Sequence, residues 1–301
     1  MYSMFKKSAL SALAVLLGLF TVSAIAAESY PPLAEEWKFH IKDGHMTQFL
    51  AAVKEHGEVR AQYGDVRDWN IYTAKLGDAL NQVAIRFCCF EWKDADAYDE
   101  WAQQNPAVLE HWWEKAAPHV EKTEHYFEQL DWANSHWNEE GGPYRYFAVT
   151  EWYVDPAHAD DFDAARDKMS QIAINQGWAT ADRSWIWGTS IGGYASEYIV
   201  VPHENYASMG GGGAFQRFLA EKMGSEEAAA ELMEQFSSAT KKSKFQIWEH
   251  HPEFAMQGAE YAIAQIEAHS HRGPAAAEYF VRRRHELRAY WRTGGTARER
   301  A

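Results

Sequence analysis

The chain has 301 residues, 47% hydrophobic and 15% aromatic, and a formal net charge of −14. Its length accommodates more than one small domain with a sizeable core, and its acidity argues against binding nucleic acid or anionic lipid through bulk charge. Only two cysteines occur, which excludes the dense disulfide framework of small secreted domains.

Residues 1–26 read as a secretory signal: Lys6 and Lys7, an apolar run from Ala9 to Val22, and Ala24-Ile25-Ala26 as a small-x-small cleavage site. Export, to the periplasm, is the expectation, with no stable membrane insertion after cleavage.

A first segment, residues 35–133, opens with the strand-like "EWKFHIK" from Glu36. Met46, Phe49, Leu50 and Val53 then follow helical spacing up to Gly64, a natural stop just past a helix. Two β-rich runs flank Leu76-Gly77-Asp78, the pattern of a hairpin. Cys88 and Cys89 end the second run; as neighbours on a strand they should point to opposite faces, so buried thiols are expected and a vicinal disulfide is not. Helical material from Asp94 to His119 and a last strand, "EHYFEQL" from Glu124, complete the segment. Residues 134–143, with Gly141-Gly142-Pro143, read as a linker.

Residues 144–254 repeat this order. Phe49 and Gly64 recur as Phe162 and Gly177, and His45 as His158, at an offset of 113; the hairpins match at 115, Ile71 with Ile186 and Gly77 with Gly192; the last strands match at 121, Phe127 with Trp248. Gly192 and Gly193 lead into another strand, "EYIVV", so they read as a hairpin turn and not as a phosphate loop. The glycine run Gly210 to Gly213 reads as an insertion before the helical stretch from Ala214 to Ala239. Residues 255–301 form a helical basic tail, with eight arginines against three glutamates from His269 onward.

Strand, helix, strand, strand, helix, strand, twice over, is the ferredoxin-like order. The expected fold is α+β: two tandem ferredoxin-like repeats that bury their sheets against each other, with helices outside. On this order and repetition the chain resembles the dimeric α/β barrel superfamily in single-chain tandem form, which includes antibiotic-biosynthesis and haem-degrading monooxygenases, the chlorite dismutase group and NIPSNAP proteins. The resemblance implies a pocket between a sheet and its own helices for haem or an aromatic molecule, monooxygenase-like chemistry and further oligomerisation. It also makes His111, or else His119, the candidate axial histidine. The asparagine that haem-degrading relatives carry on the first strand is missing from both first strands here.

For the small apolar or aromatic ligand that the resemblance implies, fourteen tryptophans supply wall material, though a barrel interface of two sheets needs such side chains for its core as well. Candidate ligand-binding residues are Tyr72, Trp152 and Trp187 on strands and His111 and Trp112 on a helix. His40 and Arg86 are polar groups on half-buried strands, and each would orient an acidic or phenolic ligand or pair with Glu128 or a neighbouring acid. His250-His251 and His269-x-His271 lack zinc spacing, so no metal site is expected. The alternative to a ligand-binding protein is a non-catalytic periplasmic protein, structural or stress-related, whose aromatic residues are all core.

Overall fold

The computed structural model describes residues 31–78, 80–138, 144–193 and 196–258. The signal candidate and all of the basic tail beyond Gly258 lie outside them. Among the described residues, eight strands and six α-helices run in the order β1 (Leu33–Ile41), α1 (Met46–Gln62), β2 (Asn70–Leu76), β3 (Gln82–Phe90), α2 (Trp92–Gln104), α3 (Pro106–Lys115), β4 (Val120–His136), β5 (Tyr146–Val154), α4 (Ala159–Asn175), β6 (Trp185–Ile191), β7 (Glu197–His203), α5 (Ala214–Met223), α6 (Glu226–Ser238) and β8 (Thr240–His250). The strands close into one antiparallel barrel in the order β1-β3-β2-β8-β5-β7-β6-β4. Closure rests on two joints between the halves, β2 with β8 and β4 with β6.

Local chemistry sets the boundaries. His45 and His158 stand at the N-caps of α1 and α4. Each expected helical stretch between hairpin and last strand is two helices. In the first half the break is Asn105-Pro106, with proline at the first position of α3, where its missing N–H costs nothing. In the second half it is Gly224, left-handed at φ +69°. The hairpin glycines are needed for their backbone: Gly192 and Gly193 have φ +108° and +59°, and Ser190 N–H donates to the Ser196 carbonyl across the turn.

Several sequence expectations shift. β4 runs on through His136, so the proposed linker starts inside a strand. Met256, placed in the tail, exchanges two backbone hydrogen bonds with Trp69 and packs into the core, so the body of the fold extends beyond residue 254. Two repeat offsets are wrong by one residue. The registers Ile41↔Val120 and Val154↔Thr240 make the last strands equivalent at 120, and Ile71 packs beside Phe39 whereas Ile186 packs beside Leu130. A one-residue slip exchanges the faces of a strand, and similarity of residue type cannot detect it. Cys88 and Cys89 form a vicinal disulfide, with Cys88 exposed; the ladder with β1 pairs Cys88 with Ala34 and Phe90 with Leu33 and skips Cys89, so a bulge breaks the alternation expected of them.

Alternation sorts the barrel into an inside and an outside. Inward positions carry Glu36, Lys38, His40, Tyr72, Arg86, Glu128, Glu151 and Tyr198, as the pairs Glu36↔Arg86, Tyr72↔Ala84, Ala34↔Glu128 and Glu151↔Tyr198 require. Outward positions feed two cores under the helices, one around Phe39, Phe49 and Ile71, the other around Phe162, Trp187 and Phe236. A Cβ at Gly188 would overlap the Tyr198 phenol, whereas one at Gly212 would meet nothing within 4 Å. Gly188→Ala is therefore expected to destabilise the fold by about 1–3 kcal/mol and Gly212→Ala by less than about 0.5 kcal/mol, as read from urea unfolding midpoints at constant m.

Candidate functional site

The helix pairs of the two halves sit differently on their sheets. α5 and α6 bury Leu219, Ala229, Leu232 and Phe236. Beneath them Trp152 stacks on Trp187 at 5.5 Å, and Phe236 packs edge-on against Trp152 at 5.1 Å and beside Phe162 at 4.6 Å. This space is filled. In the first half α2 buries none of its residues and α3 only Val108. The α2 sequence explains part of this, because Lys93, Asp94, Asp96, Asp99 and Glu100 leave chiefly Tyr98 and Trp101 to face the body. Between β1 and these helices lies a cavity of about 610 Å³.

Its wall includes the aromatic side chains Trp37, Phe39, Trp69, Tyr98, Trp101 and Trp112 beside apolar residues such as Ile85 and Val108 and polar ones such as Glu35, His56 and Arg60. Trp112 is wedged against Phe39 at 5.1 Å and edge-on to Phe49 at 6.1 Å. Leu109 and Trp113 line the mouth, 56% and 64% exposed.

Charges are buried at the same cavity. Glu35, 5% exposed, accepts from Arg67 Nη1, from Trp37 Nε1 at 2.8 Å and shares a 2.9 Å hydrogen bond with His125 Nε2. Burial pushes its carboxyl up, but His125, Arg67 and Trp37 together hold it below the usual carboxylate range. The Arg67 guanidinium lies 3.6 Å from the centre of the Tyr98 ring. Asp65, 1% exposed, accepts from Arg60 Nε at 2.6 Å and from the Arg67 backbone N–H at 3.0 Å. Each buried acid thus has its own arginine, the condition under which buried charge is tolerated.

His56, on the buried face of α1, also lines the cavity at 2% exposure. Its Nδ1 is 3.3 Å from His111 Nδ1, the two rings lie stacked, and Trp112 covers its edge at 5.2 Å. Burial, with the Arg60 charge and His111 beside it, lowers its pKa to about 3.

The seven sequence candidates fall in four places. Trp112 lines the cavity; His111 does not, and its Nε2 turns toward Glu55 at 3.5 Å. His40, Tyr72 and Arg86 face the barrel interior. There His40 meets Glu124 and Gln82, each at 2.9 Å, Arg86 donates to Glu128 at 2.8 Å, and burial pushes the Tyr72 phenol up to about 12. Trp152 and Trp187 belong to the filled core of the second half. Glu35, His56, Arg60, Asp65, Arg67 and Trp69 were not singled out from sequence. One signal was available: Phe49, Val53, His56 and Arg60 follow a single helical stripe, so two polar residues continue an apolar face.

The residues present do not suit haem. His111 is off the lining, and His56 is packed between the His111 ring and Trp112, beside a guanidinium. Among the described residues no helix is long and apolar enough to cross a membrane.

No family model and no curated protein matches the sequence. Several solved structures resemble the fold. A candidate monooxygenase of Fusobacterium nucleatum is 11% identical, with 73% of this chain and 93% of that one covered and a TM-score of 0.48. An anthrone oxidase-like protein is 9% identical over 76% and 93%, with a TM-score of 0.46. A chlorite dismutase variant from Candidatus Nitrospira defluvii is 10% identical over 73% and 93%, with a TM-score of 0.43. These likenesses concern overall form only.

His56 makes stability depend on pH. Its folded pKa of about 3 lies below the ordinary 6.5, so between those values the unfolded chain binds the proton more readily. The contribution is fully present above about pH 6.5 and is lost as pH falls toward 3. His203 and His250 are lowered too, by burial, so the difference between proteins is the readout. His56→Gln is expected to lose less stability than the parent between pH 7.5 and 4.5, by on the order of 2 kcal/mol, in urea titrations at both pH values.

Proposed function

We propose that this chain is a small-molecule-binding protein whose first half holds a planar aromatic molecule between β1 and helices α2 and α3. The observation that carries this reading is the cavity: about 610 Å³, with Trp37, Phe39, Trp69, Tyr98, Trp101 and Trp112 in its wall, covered by a helix that buries nothing of its own. Such a volume lies within the range that encloses a small organic ligand, and flat aromatic walls favour offset-stacked and edge-on contacts with a flat guest.

The lining supports holding and orienting a ligand better than proton abstraction. At a pKa of about 3 His56 is neutral at pH 7, and placing a proton on it there costs on the order of 5 kcal/mol. It can exchange hydrogen bonds, but it is a weak base. The monooxygenase-like activity suggested by resemblance therefore finds no general base in His56, and the reading is of a receptor for an aromatic compound.

Two further parts of the proposal rest on other grounds. The halves are read as tandem ferredoxin-like repeats, supported by their shared element order and by the strand orders β4-β1-β3-β2 and β8-β5-β7-β6 within one barrel. Export to the periplasm is supported by the charge, apolar run and small-x-small pattern of residues 1–26.

A planar fused-ring fluorophore such as 1-aminoanthracene should brighten on binding the full chain. Val108→Trp, which fills the cavity from α3, should weaken that binding by at least about 10-fold without lowering the unfolding midpoint. Added haemin should show no shifted Soret band. Probe binding that survives Val108→Trp unchanged would place the aromatic site elsewhere and sink the reading.

A further inference from the structure

Two residues that line the cavity each carry a donor with nothing to donate to. Arg60 Nη2 and Trp69 Nε1 are buried and without a hydrogen-bond partner, and both residues line the cavity. They are neighbours, the Arg60 guanidinium carbon lying 5.1 Å from the centre of the Trp69 ring, with Tyr98 and Trp101 around it at 5.8 and 5.7 Å. A buried donor left unsatisfied costs about 1–3 kcal/mol, and more when it is charged.

The adjoining acids are already engaged. Asp65 is held by Arg60 Nε and the Arg67 backbone, and Glu35 by Arg67, Trp37 and His125. Arg67 has its charge matched by Glu35, whereas Arg60 meets Asp65 through Nε alone and keeps one edge of its fork open. Nearby His56 is neutral and the other close groups are aromatic faces, so no further anion within the cavity serves that edge. Asp99, Glu121 and Lys122 stand on the exposed rim, where acid and base oppose each other in water.

We infer that the ligand is an aromatic acid, a planar ring system bearing a carboxylate whose oxygens accept from Arg60 Nη2 and Trp69 Nε1. This rests on the aromatic-pocket reading and adds the class of compound. A carboxylate matches the open fork in charge and planarity, which a neutral carbonyl does only in part. The ring system then extends from the Arg60 and Trp69 end of the cavity along the aromatic wall toward Trp112.

Calorimetric titration of the full chain with 2-naphthoate and its uncharged isostere 2-naphthamide tests the inference. Naphthoate is expected to bind on the order of 10-fold more tightly. Trp69→Phe, which keeps an aromatic ring and removes the N–H, and Arg60→Lys, which keeps a cation for Asp65, should each remove most of that preference and leave naphthamide within about 2-fold. Should Arg60→Lys fail to fold, Trp69→Phe alone decides the matter. Equal affinities in the parent protein, or a preference that survives Trp69→Phe, would overturn the acid assignment while leaving the aromatic pocket standing. Failure of both compounds to bind would overturn the pocket along with it.

Discussion

Closure of the barrel is the constraint from which the rest of this molecule follows. Pairing β2 with β8 and β4 with β6 leaves no open edge on either half's sheet, and it obliges every strand to present alternate residues to an enclosed interior and to a helical layer. The chain places charge inside, where Glu36, Lys38, Arg86 and Glu128 can answer one another, and places most of its large aromatic residues outside, beneath helices. A site for an apolar molecule is therefore built between sheet and helix, while the barrel interior is taken up by a polar network and by apolar clusters around Leu130 and Trp248.

Within that frame the halves diverge through their second helix pairs. α5 and α6 bring apolar residues at helical spacing down onto Trp152 and Trp187 and leave a packed core. The charged α2, set off from α3 by Asn105-Pro106, contacts the body through Tyr98 and Trp101 and holds the cover away from the sheet. Trp69 and Met256 line the resulting space together with Glu35 of β1 and His56 and Arg60 of α1, a set that no single element could supply. Glu35 with Arg67 and Asp65 with Arg60 satisfy each other; the excess donors of Arg60 and Trp69 are what remains.

Much of the plan was legible from residue order. Helical stripes beginning at His45 and His158, the glycines that stop them, and hairpin glycines followed by strand residues are local signals, and each matches an element of the fold. Face assignment was less secure: Ile71 and Ile186 are chemically alike yet lie on opposite sides of the barrel wall, because strand parity is a property of pairing. The same limit applies to the site. Tyr72, Arg86 and His40 are polar or aromatic strand residues like those that line pockets, but alternation turns them inward to acids and neighbours of their own.

What the sequence by itself determined is the set of local propensities: where α1 and α4 begin and end, where the hairpins turn, and that one order of elements occurs twice. These depend on neighbours within a few residues, so they can be read without a partner in space. Only the tertiary structure decided which half stays open, because that depends on how closely α2 and α3 approach β1 compared with α5 and α6 on β5. It alone also set Arg60 beside Trp69 at the cavity, since that juxtaposition joins a face of α1 to the connection before β2 and is completed by Met256, a residue far along the chain. Distances of that kind arise from packing, and no short stretch of sequence contains them.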